Sequence, residues 1–220
     1  MNLPKIQAVA FDMDGLMFNT EEVYFQTGCR LMERRGGVYT QEMATAIMGT
    51  PPEVTFGKML EFNHLDEPWQ HLQAESEVVF FEILDTYLQP MPGLMELLAF
   101  LEARNIPKAI CTSSSRKVME GVLSRFQMQP RFAFTITGDE IEHGKPNPDI
   151  YLKAAAQFGI AAENMLVLED SENGCRAGAG AHAFVTAVPA EHSRHMDFSM
   201  AQLVAESLAD ARIYQLLLPK

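Results

Sequence analysis

The chain has 220 residues, of which 47% are apolar and 21% are charged, and its formal net charge at neutral pH is −12. This length and composition predict one large folded domain, or a core with a modest insertion, and exclude an intrinsically disordered chain. The acidic balance argues against binding to nucleic acid, which needs a basic surface, and against binding to anionic membranes.

The sequence also carries little sign of export or membrane insertion. No apolar run approaches the roughly 18 residues of a membrane-spanning helix, and no signal peptide is apparent. The cysteines are odd in number and widely spaced, at Cys29, Cys111 and Cys175. This pattern fits neither a disulfide framework nor a zinc site and predicts buried, reduced thiols. We therefore expect a cytoplasmic protein.

The first part of the chain changes from strand to helix. A short apolar run, residues 6–11, predicts a first strand that ends directly at Asp12. Helical spacing and helix start signals then continue from Thr20 to about residue 89. We expect residues 18–89 to form a helical cap domain inserted after the first strand, and residues 1–17 and 90–220 to form the core. Because this insertion starts beside Asp12, we expect it to be able to close over that position like a lid.

From residue 90 the pattern alternates between helices and short apolar strands. The predicted strands cover residues 108–111, 134–137, 165–168 and 184–188, with helices of about a dozen residues between them. Such alternation predicts an α/β fold with a doubly wound parallel sheet, a Rossmann-like core flanked by helices.

Four polar motifs follow these apolar runs. Ligands of a parallel α/β sheet bind at the carboxyl ends of its strands, so residues there can converge although they are distant in sequence. The motifs are Asp12-Met13-Asp14-Gly15, Thr112-Ser113-Ser114, Lys145-Pro146 and Glu169-Asp170. Together they supply carboxylates, hydroxyls and one lysine, which suits the handling of a phosphoryl group with a divalent cation.

Each motif also has an ordinary structural explanation when it is taken alone. Asp12 and Asp14 fit an Asx-rich turn after a strand, and Thr112 fits a helix cap. Lys145 fits a solvated surface lysine, and a helix N-cap accounts for Asp170 or Ser171 but not for the pair Glu169-Asp170. These alternatives stay open for the individual motifs, and it is the combination that favours a site.

The combination favours a cation for an electrostatic reason. Two carboxylates about 4 Å apart repel each other by about 4 kcal/mol at an effective dielectric constant near 20, and a phosphate dianion adds to this repulsion. Mg²⁺ prefers oxygen ligands and commonly takes one or two carboxylates together with a substrate phosphate. We therefore expect Mg²⁺ as the cofactor and a small phosphorylated metabolite as the partner. We also expect a monomer or weak homodimer.

The order of the motifs resembles the haloacid dehalogenase-like hydrolase superfamily. Residues 11–16 and 143–152 are similar to its β-phosphoglucomutase-like branch, which includes small-molecule phosphatases of the pseudouridine-5′-phosphatase type. The resemblance covers essentially the whole chain and implies phosphoryl chemistry, while it is much less specific for the substrate.

The resemblance implies a role for each matching residue. Asp12 would be the nucleophile that becomes an aspartyl phosphate, and Asp14 would protonate the leaving alcohol and then activate water. Thr112, the backbone N–H of Ser113 and Lys145 would bind the phosphoryl oxygens. The metal would be held by Asp12, the backbone carbonyl of Asp14, Asp170 and, directly or through water, Glu169.

The chain departs from the family pattern within the insertion. Many relatives carry an acidic residue at the position of Asn19. Mutases of the branch carry a histidine near Tyr24 and a basic residue in segment 48–52, and neither is present here. Since a mutase must hold a second phosphate, the sequence favours a phosphatase of sugar or nucleoside phosphates over a phosphosugar mutase. We expect Tyr24, Gly49 and Thr50 to face the leaving group and select the substrate.

A phosphoacceptor signalling domain is the alternative from another class, because receiver domains also place acids, a Thr or Ser and a Lys around a phosphorylated Asp. Receivers carry an acidic pair after their first strand and the phosphoacceptor after their third. Here the second acidic pair follows Lys145, and signalling has no need of an insertion such as residues 18–89.

Overall fold

The structure, a computed structural model, describes residues 5–47 and 50–218. It divides into two compact units. The first, called the core unit, comprises the residues up to Asn19 together with those from Gln89 onwards, and the second, called the helical unit, comprises Thr20–Leu88.

The described part of the core unit is built on a six-stranded sheet. Its strands are β1 (Ala8–Phe11), β2 (Lys108–Cys111), β3 (Phe134–Ile136), β4 (Met165–Glu169), β5 (Phe184–Ala187) and β6 (Leu203–Val204). Their order in space is β3-β2-β1-β4-β5-β6, and each neighbouring pair is parallel. This is the strand order of a doubly wound dinucleotide-type fold, so the predicted fold class is confirmed.

The helical unit contains no strand among its described residues. Its helices are α1 (Thr20–Glu33), α2 (Gln41–Ile47), α3 (Pro52–Phe62) and α4 (Trp69–Tyr87). Just after α1, Arg34 binds Glu75 and Glu82 of α4 at 2.7 and 3.0 Å, and Arg35 binds Glu67 at 2.5 Å and Glu75 at 2.7 Å. These ion pairs join the end of α1 to α4 and to the segment before it.

The remaining helices belong to the core unit. They are α5 (Leu94–Ala103), α6 (Arg116–Arg125), α7 (Asp149–Phe158), α8 (Glu172–Gly180) and α9 (Ala211–Leu216). The C-cap of α7 is Gly159, whose φ of 69° is in the left-handed region that favours glycine. Strand β6 was not predicted, because two residues at a sheet edge produce no readable periodicity.

Burial explains why the central strands read as continuous apolar runs. Every residue of β1, β2 and β4 is buried, as expected for parallel strands covered by helices on both faces. The polar residues that follow these strands therefore stand at the edge of a dry interior.

The three cysteines are free thiols, with Cys111 and Cys175 buried and Cys29 half-buried. The predicted burial is thus confirmed for Cys111 and Cys175. It is wrong for Cys29, which lies on α1 and is only half-buried. Among the described residues, no helix has both the length and the apolar character needed to cross a bilayer.

Candidate active site

The topology of the sheet brings three of the four motifs to adjacent strand ends. Strand β1 pairs with β2 on one side and with β4 on the other. Asp12 continues β1, its N–H donating to the carbonyl of Leu168 at 3.0 Å, and Thr112 continues β2, its N–H donating to the carbonyl of Ile136 at 3.1 Å. Glu169 is the last residue of β4.

Lys145, from the remaining motif, reaches the same edge of the sheet. It lies in the loop between β3 and α7, and its ammonium is 2.5 Å from Asp12 Oδ1 and 2.6 Å from Glu169 Oε1. It also donates to the carbonyl of Cys111 at 3.0 Å. Burial lowers the pKa of Lys145, but the charges of Asp12 and Glu169 and their hydrogen bonds outweigh burial and raise this pKa above its ordinary value. With 6% of its side chain exposed, Lys145 is a buried cation and not a surface lysine.

Glu169 is fixed by donors to both of its oxygens. Besides Lys145, the hydroxyl of Tyr151 donates to Oε1 at 2.8 Å. Oε2 accepts from the N–H groups of Asp170 and Ser171, at 3.1 and 3.3 Å, and from the Ser171 hydroxyl at 3.0 Å. A Cβ at Gly174 would lie 1.8 Å from Oε1, so α8 must carry glycine there to approach this carboxylate. Glu169 is therefore a rigidly held carboxylate that fixes the ammonium of Lys145.

Asp14 is held by hydroxyls from the second motif. Its Oδ2 accepts from Thr112 Oγ1 and from Ser114 Oγ, both at 2.8 Å. Its Oδ1 is buried and has no hydrogen-bond partner among the residues that the structure describes. The cap of α6 is Ser115, whose hydroxyl accepts from the N–H of Val118, so the alternative of Thr112 as the helix cap is wrong.

Ser113 differs from its neighbours because it is exposed. Its carbonyl lies so close to Gly138 that a Cβ at Gly138 would be 2.2 Å away, which ties the loop after β2 to the loop after β3. The predicted contact of its N–H with a phosphoryl oxygen stays a prediction.

Asp170 is flanked by two residues from other loops. The imidazole Nε2 of His192 is 3.1 Å from Asp170 Oδ2. Gly15 has a φ of +75°, and a Cβ there would lie 2.4 Å from Asp170 Oδ2 and 3.0 Å from His192 Cε1. The turn after β1 thus needs glycine both for its backbone conformation and for its close approach to Asp170.

The carboxylates around Lys145 fit a divalent cation. Asp12, Glu169 and Asp170 each offer an oxygen, and these oxygens lie within 4.8 Å of one another. Burial raises the pKa of Asp12, and the charges of Glu169, Asp170 and Asp14 raise it further against the opposing effect of Lys145. Three other carboxylates thus act on Asp12 while Lys145 pairs with only Asp12 and Glu169, so a cation with oxygen ligands would relieve the remaining repulsion.

The predicted substrate-selecting residues belong to the helical unit. Tyr24 is 40% exposed, and its ring centroid is 4.9 Å from that of Phe80. The hydroxyl of Thr50 lies 2.8 Å from that of Thr55. Gly49 lies outside the described residues.

Asn19 forms a two-point contact with Gln89. The Asn19 Oδ1 accepts from the N–H of Gln89 at 2.6 Å, and the Asn19 N–H donates to the Gln89 carbonyl at 3.1 Å. These two residues are where the chain leaves and re-enters the core unit. The amide at position 19 therefore joins the two connecting segments.

Two site residues, Tyr151 and His192, were not predicted from the sequence, and Ser114 was named in a predicted motif without a role of its own. Tyr151 occurs at helical spacing in an apolar stretch, which is typical of a core residue. Ser114 stands in a run of serines that fits a turn, and His192 occurs in a loop with no motif. Only the contacts of these side chains identify them.

A parallel α/β core that gathers carboxylates, hydroxyls and a buried lysine at its strand ends is suited to phosphoryl chemistry. The pattern that defines the family described as haloacid dehalogenase-like hydrolase matches residues 9–188. The chain therefore belongs to the haloacid dehalogenase-like hydrolase family, as its motifs indicated.

Known proteins with similar sequences and structures agree with this assignment. The chain is 34% identical to a "probable pseudouridine-5′-phosphatase" of Drosophila melanogaster over 99% of its own length and 96% of that protein. It is 29% identical to a "phosphorylated carbohydrates phosphatase" of Thermotoga maritima over 80% of its own length and 82% of that protein. The crystal structure of a mutant of CbbY from Rhodobacter sphaeroides in complex with xylulose-(1,5)bisphosphate has a TM-score of 0.81 at 25% identity, covering 93% of this chain and 95% of that one. The predicted class of enzyme, a phosphatase of this family, is confirmed.

Proposed function

We propose that the protein is a Mg²⁺-dependent phosphatase that hydrolyses a small phosphomonoester, a sugar or nucleoside phosphate, through an aspartyl phosphate on Asp12. The observation that carries the proposal is the buried contact of Asp12 with Lys145, beside the oxygens of Asp170 and Glu169. The names of the two relatives, a phosphatase of phosphorylated carbohydrates and a pseudouridine-5′-phosphatase, support the class of substrate.

We assign the cation to Asp12 and Asp170, with the backbone carbonyl of Asp14 as the further ligand that the family resemblance implies. Glu169 is better placed to hold Lys145, because both of its oxygens already accept hydrogen bonds from the protein. When bound, the cation would offset the negative charge of the substrate phosphate and of the carboxylates.

In the first half of the reaction, a carboxylate oxygen of Asp12 attacks phosphorus. The new oxygen–phosphorus bond forms as the bond to the leaving alcohol breaks, and Asp14 gives its proton to the departing oxygen. The ammonium of Lys145, which already lies beside Asp12, offsets the charge on the transferring phosphoryl oxygens.

In the second half, water attacks the phosphorus of the aspartyl phosphate. Asp14 accepts a proton from this water, the bond between Asp12 and phosphorus breaks, and inorganic phosphate is released. The geometry of Asp14 supports this role: Thr112 and Ser114 hold its Oδ2, while Oδ1 is without a hydrogen-bond partner among the described residues and is left for proton transfer.

We infer that the helical unit selects the leaving group, through Tyr24, Gly49 and Thr50. Segment 48–52 contains no lysine or arginine. A second phosphate therefore lacks a cation in this segment, which favours hydrolysis of the aspartyl phosphate over its transfer to a substrate that already carries a phosphate.

The proposal is tested by phosphate release from a panel of phosphomonoesters, with protein stripped by EDTA and then supplied with Mg²⁺. We expect turnover of at least one sugar or nucleoside phosphate with Mg²⁺ and almost none without it. Equal turnover in EDTA would overturn the role of the metal, and no turnover of any small phosphomonoester would overturn the proposed activity.

Hydrolysis and mutase activity are separated with a hexose 1-phosphate and a trace of the corresponding bisphosphate. We expect inorganic phosphate in proportion to the substrate consumed. Rapid accumulation of the 6-phosphate isomer, with almost no inorganic phosphate, would instead establish a mutase.

A further inference from the structure

We propose that His192 is a positioning residue for Asp170, and that its hydrogen bond to this carboxylate sets the affinity of the core unit for its divalent cation. The inference rests on the proposed function, which places the cation on Asp12 and Asp170.

The contact between His192 and Asp170 has the geometry of a hydrogen bond in a dry environment. Nε2 of His192 is 3.1 Å from Asp170 Oδ2, with 18% of the imidazole side chain and 5% of the carboxylate side chain exposed. A carboxylate only accepts hydrogen bonds, so Nε2 carries the proton and the imidazole is the donor. Such a donor restricts the rotation of the carboxylate and selects which oxygen is presented to a cation.

The loop that carries His192 is tied to the end of β4 before His192 and is closed into a turn around it. Before His192, the N–H of Val188 donates to the carbonyl of Glu169 at 2.6 Å. After it, the fully buried Ser193 donates to the carbonyl of Ala190 through both its N–H, at 3.1 Å, and its hydroxyl, at 3.3 Å. The imidazole is thus held against Asp170 by the fold of the loop.

A separate element packs against the same pair. The turn after β1 brings Gly15 so close that any Cβ would meet both Asp170 Oδ2, at 2.4 Å, and His192 Cε1, at 3.0 Å. Asp170 is therefore confined between the turn at Gly15 and the loop at His192. Because the turn at Gly15 directly follows Asp12 and Asp14, the position of one proposed ligand is tied to the motif that carries the others.

Some residues hydrogen-bond to a metal ligand without touching the metal. Removing such a residue typically reduces metal affinity or activity by about 10- to 100-fold. The effect of His192 should appear in the binding of the metal itself, in the absence of substrate. A role limited to stability would instead lower the melting temperature and leave the affinity of the folded protein unchanged.

The test measures the binding of Mn²⁺ alone to full-length, EDTA-stripped protein by electron paramagnetic resonance, together with the melting temperature in EDTA. His192→Phe keeps a ring and removes the N–H donor, while His192→Gln keeps a donor. We expect Mn²⁺ affinity to fall about 10- to 100-fold in His192→Phe and to recover most of that loss in His192→Gln. His195→Phe, in an exposed position of the same loop, is the matched control and should bind Mn²⁺ as the wild type does.

Activity provides a second readout of the same effect. In His192→Phe the Mg²⁺ concentration for half-maximal turnover should rise in parallel with the Mn²⁺ dissociation constant, and much of the lost rate should return at high Mg²⁺. If His192→Phe does not fold, His192→Met takes its place, since Met is of similar size and has no N–H donor.

The inference is overturned if the folded variant without a donor binds Mn²⁺ as tightly as the wild type, or if His192→Gln loses as much affinity as that variant does. Failure of the proposed function looks different, because the wild type itself would then bind no Mn²⁺ and Asp170→Asn would change nothing.

Discussion

Lys145 and Asp12 form a buried ion pair across 133 positions of sequence, with the ammonium 2.5 Å from Asp12 Oδ1. The same ammonium binds Glu169 at 2.6 Å. One cation therefore joins the ends of two neighbouring strands, and its removal would leave two buried carboxylates facing each other. The proposed chemistry and the stability of the core unit both depend on this contact.

Asp12→Asn should abolish turnover and preserve the fold, because an amide cannot accept the phosphoryl group. We expect kcat to fall by more than about 10³-fold, in the range found when a nucleophile is removed. Phosphate release and circular dichroism measure the two properties. Asp66→Asn, an exposed residue of the helical unit, makes the same change of charge and should keep wild-type kinetics. A variant at Asp12 that retained a tenth of wild-type turnover would rule out this nucleophile.

Asp14→Asn should also reduce kcat strongly, by at least about 10²-fold, because an amide neither gives nor accepts the proton that the reaction moves. Metal binding should survive, since the proposed ligand from this residue is its backbone carbonyl. Mn²⁺ titration of the substrate-free variant checks this expectation. A complete loss of Mn²⁺ binding would contradict the proposed division of roles between Asp12 and Asp14.

Lys145→Ala should lower both kcat/KM and the free energy of unfolding in EDTA. Breaking a buried ion pair typically costs about 3–5 kcal/mol, because the remaining charge is left uncompensated, and Asp12 and Glu169 are both buried. Mg²⁺ should recover part of the stability by supplying positive charge. Lys153→Ala is the matched control, since Lys153 is a half-buried residue of α7 whose ammonium donates to a backbone carbonyl and to no carboxylate among the residues that the structure describes. Equal unfolding free energies for the Lys145 variant and the wild type would show that the pair is energetically unimportant.

Tyr24→Ala should change the ranking of phosphomonoesters more than it lowers the best rate, because the proposed chemistry lies entirely in the core unit. Loss of an apolar contact to a leaving group is worth about 1–3 kcal/mol, so relative kcat/KM values should shift by about tenfold or more. Phe62→Ala, which removes an exposed aromatic ring from the same unit, should leave the ranking as it is. A uniform loss over all substrates would exclude selection by Tyr24.

Glu102→Gln should destabilise the protein near pH 7 and have little effect near pH 2. Hydrogen bonds from Arg131 at 2.8 and 2.9 Å, together with the contact of Lys108 at 3.1 Å, lower the pKa of Glu102 from 4.5 to about 2. A lowered carboxyl pKa contributes stability that is fully present above about pH 4.5 and is lost as the pH falls through about 2. Since 41% of this side chain is exposed, solvent screening limits the contribution to about 1 kcal/mol.

Urea unfolding at several pH values measures this difference. Glu96→Gln, an exposed change on the same helix α5, is the control. A difference between the Glu102 variant and the wild type that stayed constant from pH 7 to pH 2 would contradict the assignment of this ion pair.

The fold class and the positions of the four motifs could be predicted from the sequence because they depend on local patterns. Short apolar runs predict the strands, and the stretches of helical periodicity between them predict the helices, whatever their later contacts. The carboxyl ends of parallel strands meet at one edge, so the convergence of Asp12, Thr112 and Glu169 followed from the fold class. The observed bounds of β1 to β5 differ from the predicted ones by two residues or fewer.

What the sequence could not predict was the choice among hydrogen-bond partners. The loop after β2 offers four hydroxyls at residues 112–115, and each suits either a helix cap or a site. The structure gives the cap to Ser115 and directs Thr112 and Ser114 to Asp14. That choice depends on how the loop packs against the turn after β1, which no local pattern contains.

The burial of Lys145 and the contact of His192 with Asp170 also depend on how the loops pack, and no local pattern predicts them. A lysine before proline and a histidine in a loop have no periodicity that marks them as buried, and their partners are distant in sequence. The sequence by itself thus determined a doubly wound α/β core with its acids at the strand ends, because strand and helix signals are short-range, and the order of its motifs indicated the hydrolase family. Only the tertiary structure decided which loop residue holds each acid, because the charge and hydrogen-bond requirements of a buried carboxylate are met by whichever donors the packed loops bring within about 3 Å.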